Sequence, residues 1–115
     1  MELMKSGIYN VRFTSSQNAS GEGLAVFKDG TINGGDPGYL YLGSFQQEGS
    51  AVNAKLKIVQ WNKSYQSVFG NVPQFELSLS GTIATDDLQF SVEGVVPQQP
   101  GLKIKIIGRR LADAI

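Results

Sequence analysis

Residues 75 to 94 read FELSLSGTIATDDLQFSVEG, and this stretch decides the fold class. Apolar and polar residues alternate along it, which is the two-residue period of a β-strand with one buried face. A turn at Asp86-Asp87 puts the large apolar residues of both strands on one face, through the pairs Ile83–Phe90, Gly81–Val92 and Leu79–Gly94. The stretch therefore predicts an antiparallel hairpin in that register.

A third strand continues this hairpin after residues 97 to 101, which read PQQPG. Its inward positions are apolar (Leu102, Ile104 and Ile106), and its outward positions are basic (Lys103, Lys105 and Arg109). The C-terminal third of the chain is therefore predicted to form a three-stranded meander.

The middle of the chain predicts a second hairpin, with its turn centred on Glu48-Gly49. Its inward pairs would be Phe45–Val52, Gly43–Ala54, Tyr41–Leu56 and Tyr39–Ile58. On the outer face this register places Leu42 beside Lys55 and Leu40 beside Lys57.

Upstream of that hairpin, residues 9 to 13 alternate as one strand and residues 21 to 28 form another, followed by a tight turn at Asp29-Gly30. Residues 62 to 74 are predicted to be a long connection, a loop or a helical turn, that caps one end of the barrel through Val68 and Phe69. Residues 1 to 5 are expected to be disordered. The whole chain, 1 to 115, is predicted to be a single all-β domain. It would be an up-and-down antiparallel β-barrel of seven to eight strands. Closing the sheet into a barrel leaves no strand edge exposed.

Composition excludes several classes of function. The chain has 115 residues, with ten basic and ten acidic side chains that cancel, so no long-range field attracts nucleic acid or an anionic membrane. It has no Cys and no His, which removes a thiolate nucleophile, the usual neutral-pH base and the commonest metal ligands. No apolar run resembles a signal peptide or a membrane span, so a cytoplasmic location is expected.

Local motifs give no catalytic or metal site. Gly34-Gly35-Asp36 has the composition of a phosphate-binding turn, but its position between two strands favours a wide turn. Asp86-Asp87 could bind a cation or share a proton, but the hairpin requires a turn there. Gly21-Glu22-Gly23 lacks the helix of a dinucleotide-binding motif and is interpreted as a strand start or bulge. We therefore expect no enzyme, no cofactor and no metal.

Inward aromatic residues are candidates for the lining of a ligand cavity: Tyr9, Phe13, Tyr39, Tyr41 and Phe45. A small barrel can equally be filled by its own side chains. Leu40 and Leu42 on the outer face are candidates for a dimer interface, although the stems of Lys55 and Lys57 could cover them instead.

Several short motifs, taken in order, resemble the GrlR-like family. They are MKSGIY at residues 4 to 9, Gly21-Glu22-Gly23, Asp29-Gly30, Gly34-Gly35-Asp36, YLG at 41 to 43, SVFG at 67 to 70, LSG at 79 to 81 and the loop at 97 to 101. Each motif is weak alone, and their order across nearly the whole chain is the specific feature.

The resemblance implies a lipocalin-like barrel that forms a cytoplasmic homodimer and represses type III secretion genes by holding a transcriptional activator, without contacting DNA. It also implies that an acidic surface loop captures that partner. The corresponding positions here are Gln46, Gln47, Glu48 and Gly49, with one carboxylate where the family's known loop has four. We therefore take these residues as the candidate partner-binding loop. The alternative function, suggested by the inward aromatic residues, is a carrier or sensor of a small apolar ligand such as a lipid.

Overall fold

The computed structural model describes residues 6–70, 72–83, 88–97 and 99–115. Within them, eight strands follow one another: β1 (Gly7–Ser15), β2 (Ser20–Lys28), β3 (Thr31–Gly35), β4 (Tyr39–Glu48), β5 (Ala51–Gln60), β6 (Gln74–Ile83), β7 (Gln89–Val96) and β8 (Gln99–Ala112). Each strand pairs antiparallel with the next, and β8 pairs with β1 to close the barrel. The predicted up-and-down antiparallel β-barrel is confirmed.

None of the described residues belongs to a helix that could span a membrane. Two of the sequence-based expectations lie outside the described residues: disorder at 1 to 5, and the turn at Asp86-Asp87.

The hairpin of β6 and β7 has the predicted register, with Ile83 opposite Phe90 and Gly81 opposite Val92. Along β8 the predicted faces are also confirmed, because Ile104 and Ile106 are buried while the basic side chains point outward. The turn between β2 and β3 consists of Asp29 and Gly30, both with positive φ, at 52° and 79°. Positive φ at both central residues is the signature of the type I′ turn that suits a two-residue hairpin.

The predicted register of β4 with β5 was wrong by two residues. Tyr41 pairs with Ile58 and Phe45 with Ala54, because the turn is formed by Gly49 and Ser50 and not by Glu48-Gly49. Gly49 has a φ of 64°, which suits the first position of a type II′ turn. A slip of two residues keeps every side chain on its predicted face, so the alternating pattern could not detect it.

The predicted wide turn at residues 34 to 36 was also placed too early. Gly34 and Gly35 lie in β3, and the chain turns at residues 36–38. Gly34 pairs with Ala25 on one side and Tyr41 on the other, and a Cβ at Gly34 would overlap the backbone at Leu24. Gly34 therefore permits the close approach of β2 and β3.

We call the end of the barrel that carries the connections 16–19, 36–38 and 61–73 the upper end, and the end with the turns 29–30 and 49–50 the lower end. The lower part of the interior contains an aromatic cluster of Tyr9, Phe27, Phe45 and Phe90. Its ring centroids lie 5.0 to 5.6 Å apart, which is the usual range for packed aromatic pairs. The rest of the interior is less completely filled.

Candidate functional site

A cavity of about 280 Å³ runs from the upper end of the barrel into its interior, where Val52 and the rings of Phe27 and Phe90 border it. Its wall is mainly apolar and includes Val11, Ala25, Leu77 and Ile104. Small-molecule sites usually measure roughly 300 to 1,000 Å³, so this volume suits a small ligand. The cavity reaches the upper end, where polar residues of the connections join its lining.

The five aromatic residues proposed from the sequence divide between the cavity and the cluster below it. Phe13, Tyr39 and Tyr41 line the cavity. Tyr9 and Phe45 pack against Phe27 in the aromatic cluster and so form the floor beneath the cavity. Alternation indicated that all five point inward, but it contained no information about which rings pack together.

Asp36 organises the polar part of the cavity mouth. Its Oδ1 accepts hydrogen bonds from the backbone N–H groups of Gly38, at 2.8 Å, and Tyr39, at 2.7 Å. Its Oδ2 accepts a hydrogen bond from the hydroxyl of Tyr41. Burial raises the pKa of Tyr41 well above its usual value, and the hydrogen bond and negative charge of Asp36 raise it further, so the hydroxyl keeps its proton.

From the sequence, Asp36 was interpreted only as part of a turn. An Asp before Pro-Gly is a signal for side-chain capping of the following backbone, which would have predicted the contacts to Gly38 and Tyr39. The contact to Tyr41 depends on the side chain from β4 reaching across the mouth.

Residues 61–70 and 72–73, between β5 and β6, cover the upper end, and we call these residues the lid. Ser15 is buried in β1, and its Oγ donates a hydrogen bond to the carbonyl oxygen of Val68 at 2.8 Å. The hydroxyl of Tyr39 donates to the carbonyl oxygen of Val72 at 2.7 Å. Trp61 Nε1 donates to the carbonyl oxygen of Asp36 at 3.0 Å. These hydrogen bonds attach the lid to the barrel at its beginning, middle and end.

Two glycines of β2 make room for the aromatic side chains of the mouth. A Cβ at Gly21 would lie 2.7 Å from the ring of Phe13, and one at Gly23 would lie 2.5 Å from the Tyr41 hydroxyl oxygen. The motif Gly21-Glu22-Gly23, interpreted from the sequence as a strand start or bulge, therefore serves to admit these rings.

The candidate partner-binding residues lie at the lower end, opposite the cavity mouth. Gln46, Gln47 and Glu48 are the last residues of β4, and Gly49 begins the turn. Glu48 and Gly49 are exposed, and the Gln47 side-chain amide donates a hydrogen bond to the carbonyl oxygen of Gly49 at 2.8 Å. The two sites proposed from the sequence are therefore separated by the length of the barrel.

The outer wall carries an apolar patch across β2 to β5. Leu24, Gly35, Leu40 and Val59 form one cross-strand row, and Leu42 lies in the next. Leu40 and Leu42 are each 40% exposed. The predicted neighbours of the two leucines were wrong because of the register slip: Leu42 lies opposite Lys57, and Leu40 lies opposite Val59. Leu40 therefore has an apolar cross-strand neighbour on β5 where a lysine had been predicted.

Within the described residues, His, Cys, Asp and Glu form no group of three or more that could hold a metal ion. The outward basic residues of β8 are exposed. The structure thus describes a closed eight-stranded β-barrel with an internal cavity at one end and an exposed hairpin turn at the other.

The sequence matches the family model described as the type III secretion system negative regulator GrlR over residues 4–114. The chain belongs to this family, as its motifs had suggested.

Two solved structures show the same fold. A redesigned β-barrel is 14% identical, with a TM-score of 0.57, and the match covers 94% of this chain and 92% of that one. The isotype 1 transferrin binding protein B of serogroup B Neisseria meningitidis is 9% identical, with a TM-score of 0.57. That match covers 96% of this chain but 26% of the other, so the chain spans about a quarter of that protein. No curated protein matches the sequence.

Proposed function

We propose that the protein is a non-enzymatic, cytoplasmic regulator that represses gene expression by binding a protein partner, such as a transcriptional activator. The observation that carries this proposal is the match to the negative-regulator family over residues 4–114. The near-zero net charge favours a protein partner over direct contact with nucleic acid.

The proposed contact surface is the turn with Gln46, Gln47, Glu48 and Gly49. It projects from the lower end, and a short hairpin turn can enter a partner's surface without disturbing the barrel. Glu48 supplies the charge of this loop, and we propose that it meets a basic group of the partner.

A charge reversal tests this surface. Glu48→Lys is expected to weaken partner capture roughly tenfold or more, since it places like charges together in the complex. The measurement is a pull-down from the native organism, with the activator detected by mass spectrometry. Glu93→Lys, on the exposed outer face of β7, is the matched control and should capture as well as the wild type. Full capture by Glu48→Lys, or recovery of no regulator by the wild type, would count against the proposal.

A second candidate function is a carrier or sensor of a small apolar molecule. It is supported by the cavity of about 280 Å³ and its apolar wall. Native mass spectrometry of the purified protein should then show a bound molecule that organic extraction removes. Ala54 is buried and faces the cavity, so Ala54→Phe fills it, and this variant should carry no such molecule. A wild-type protein without any extractable ligand would contradict this function.

A further inference from the structure

We propose that the cavity selects a small amphiphile whose polar end donates a hydrogen bond and carries no negative charge. The inference rests on the second proposed function, that the cavity is a ligand site, and it adds the chemical class of the ligand.

Polar groups are restricted to one end of the cavity. Among the described residues that line it, Glu22 and Asp36 are acidic, and there is no Lys or Arg. The side chain of Glu22 points to the outer face of β2, so Asp36 supplies the carboxylate at the upper end, whereas the deeper wall is apolar. An amphiphile would therefore place its chain in the barrel and its polar end beside Asp36.

The hydrogen bonds at Asp36 leave acceptors for the ligand. Both backbone N–H donors are directed to Oδ1, and the Tyr41 hydroxyl gives its proton to Oδ2. Because this proton is already used, the Tyr41 oxygen can only accept a further hydrogen bond, and Oδ2 keeps an accepting position. A tyrosine hydroxyl is protonated at neutral pH, and the raised pKa of Tyr41 extends this arrangement to alkaline pH. A hydroxyl or an ammonium group complements these atoms.

The negative charge of Asp36 at the cavity mouth also disfavours an anionic ligand. Glu22 lies on the outer face of β2, where the guanidinium of Arg12 is 3.3 Å away and offsets its charge. Across the described ranges, no cationic side chain forms an ion pair with Asp36. A carboxylate ligand beside Asp36 would therefore be repelled by the Asp36 charge. Ser20 and Gln66 also line the cavity, but they can donate or accept a hydrogen bond and so do not discriminate between a carboxylate and a hydroxyl headgroup.

Three ten-carbon ligands test the proposal: 1-decanol, decylammonium and decanoate, titrated into the full chain by calorimetry at neutral pH. We expect the alcohol and the ammonium ion to bind, and decanoate to bind roughly tenfold or more weakly. Asp36→Asn removes the charge and keeps an acceptor for the backbone, so it should bring the affinity for decanoate close to that for decanol. If Asp36→Asn fails to fold, judged by circular dichroism, the comparison on the wild type decides alone.

The outcomes separate this inference from the function on which it rests. Decanoate binding as tightly as decanol would overturn the headgroup preference and leave the cavity function standing. Failure of all three ligands to bind would overturn both. Ala54→Phe should abolish binding of all three, and binding that survives in this variant lies outside the cavity and also overturns both.

Discussion

Inward-facing glycines allow the strands of this barrel to approach one another. A Cβ at Gly94 would overlap the carbonyl oxygen of Ser78 on β6, and one at Gly81 would overlap the carbonyl oxygen of Ser91 on β7. Such contacts with backbone atoms cannot be relieved by a rotamer change. Glycine in a strand interior often marks this kind of close backbone approach.

Gly94→Ala is therefore expected to lower the free energy of unfolding by about 2 kcal/mol or more, because the added methyl group forces the two strands apart. Gly101→Ala is the matched control, since a Cβ at Gly101 has no atom within 4 Å. Its effect should stay within about 0.5 kcal/mol. Urea unfolding followed by circular dichroism measures both, and equal losses would show that close packing is not the cause.

The lid covers the cavity, and it is attached by apolar contacts, since Val68 and Phe69 are buried in the core, as well as by hydrogen bonds. The hydrogen bond from Ser15 to Val68 is buried, so its loss leaves a carbonyl oxygen without a donor in an apolar setting. Local opening of a surface segment depends on a few contacts of this kind.

Ser15→Ala should accordingly loosen the lid and increase the hydrogen exchange of its amides, such as those of Phe69 and Gly70, by about tenfold. Exchange in β6 and β7 should change less. Ser44→Ala, on the exposed face of β4, removes the same hydroxyl without a buried partner and serves as control. Unchanged lid exchange in Ser15→Ala would mean that this hydrogen bond does not hold the lid.

At the scale of the whole molecule, the apolar patch of Leu24, Leu40, Leu42 and Val59 on the outer wall supports a homodimer, which we propose as the functional form. Exposed apolar patches commonly mark contact surfaces. Lys57 lies opposite Leu42, so its stem covers only part of this patch.

Leu42→Glu is expected to convert the dimer to a monomer in sedimentation experiments at micromolar concentration, because a carboxylate would be buried in an apolar interface. Ile107→Glu is the control, since Ile107 is 48% exposed on β8, four strands away and so across the barrel. It should leave the dimer intact. A wild-type monomer under these conditions would contradict the proposed homodimer.

Sequence alone determined which faces of β1 and of β4 to β8 point inward, because successive side chains of a strand alternate between its two faces and the apolar face is the one that is buried. It also determined the turn at Asp29-Gly30, whose positive φ values Asp and Gly tolerate. It did not predict β3, whose two glycines were assigned to a turn. It did not determine the register of β4 with β5, because a two-residue slip preserves both faces.

The arrangement of the interior depends on the tertiary structure. Closure of the barrel brings Phe27 into contact with Tyr9, Phe45 and Phe90, while Phe13, Tyr39 and Tyr41 border the cavity near its mouth. The same closure places the hydroxyl of Tyr41 on Asp36. These contacts depend on barrel curvature and on side chains from strands distant in sequence, whereas alternation records only inside and outside.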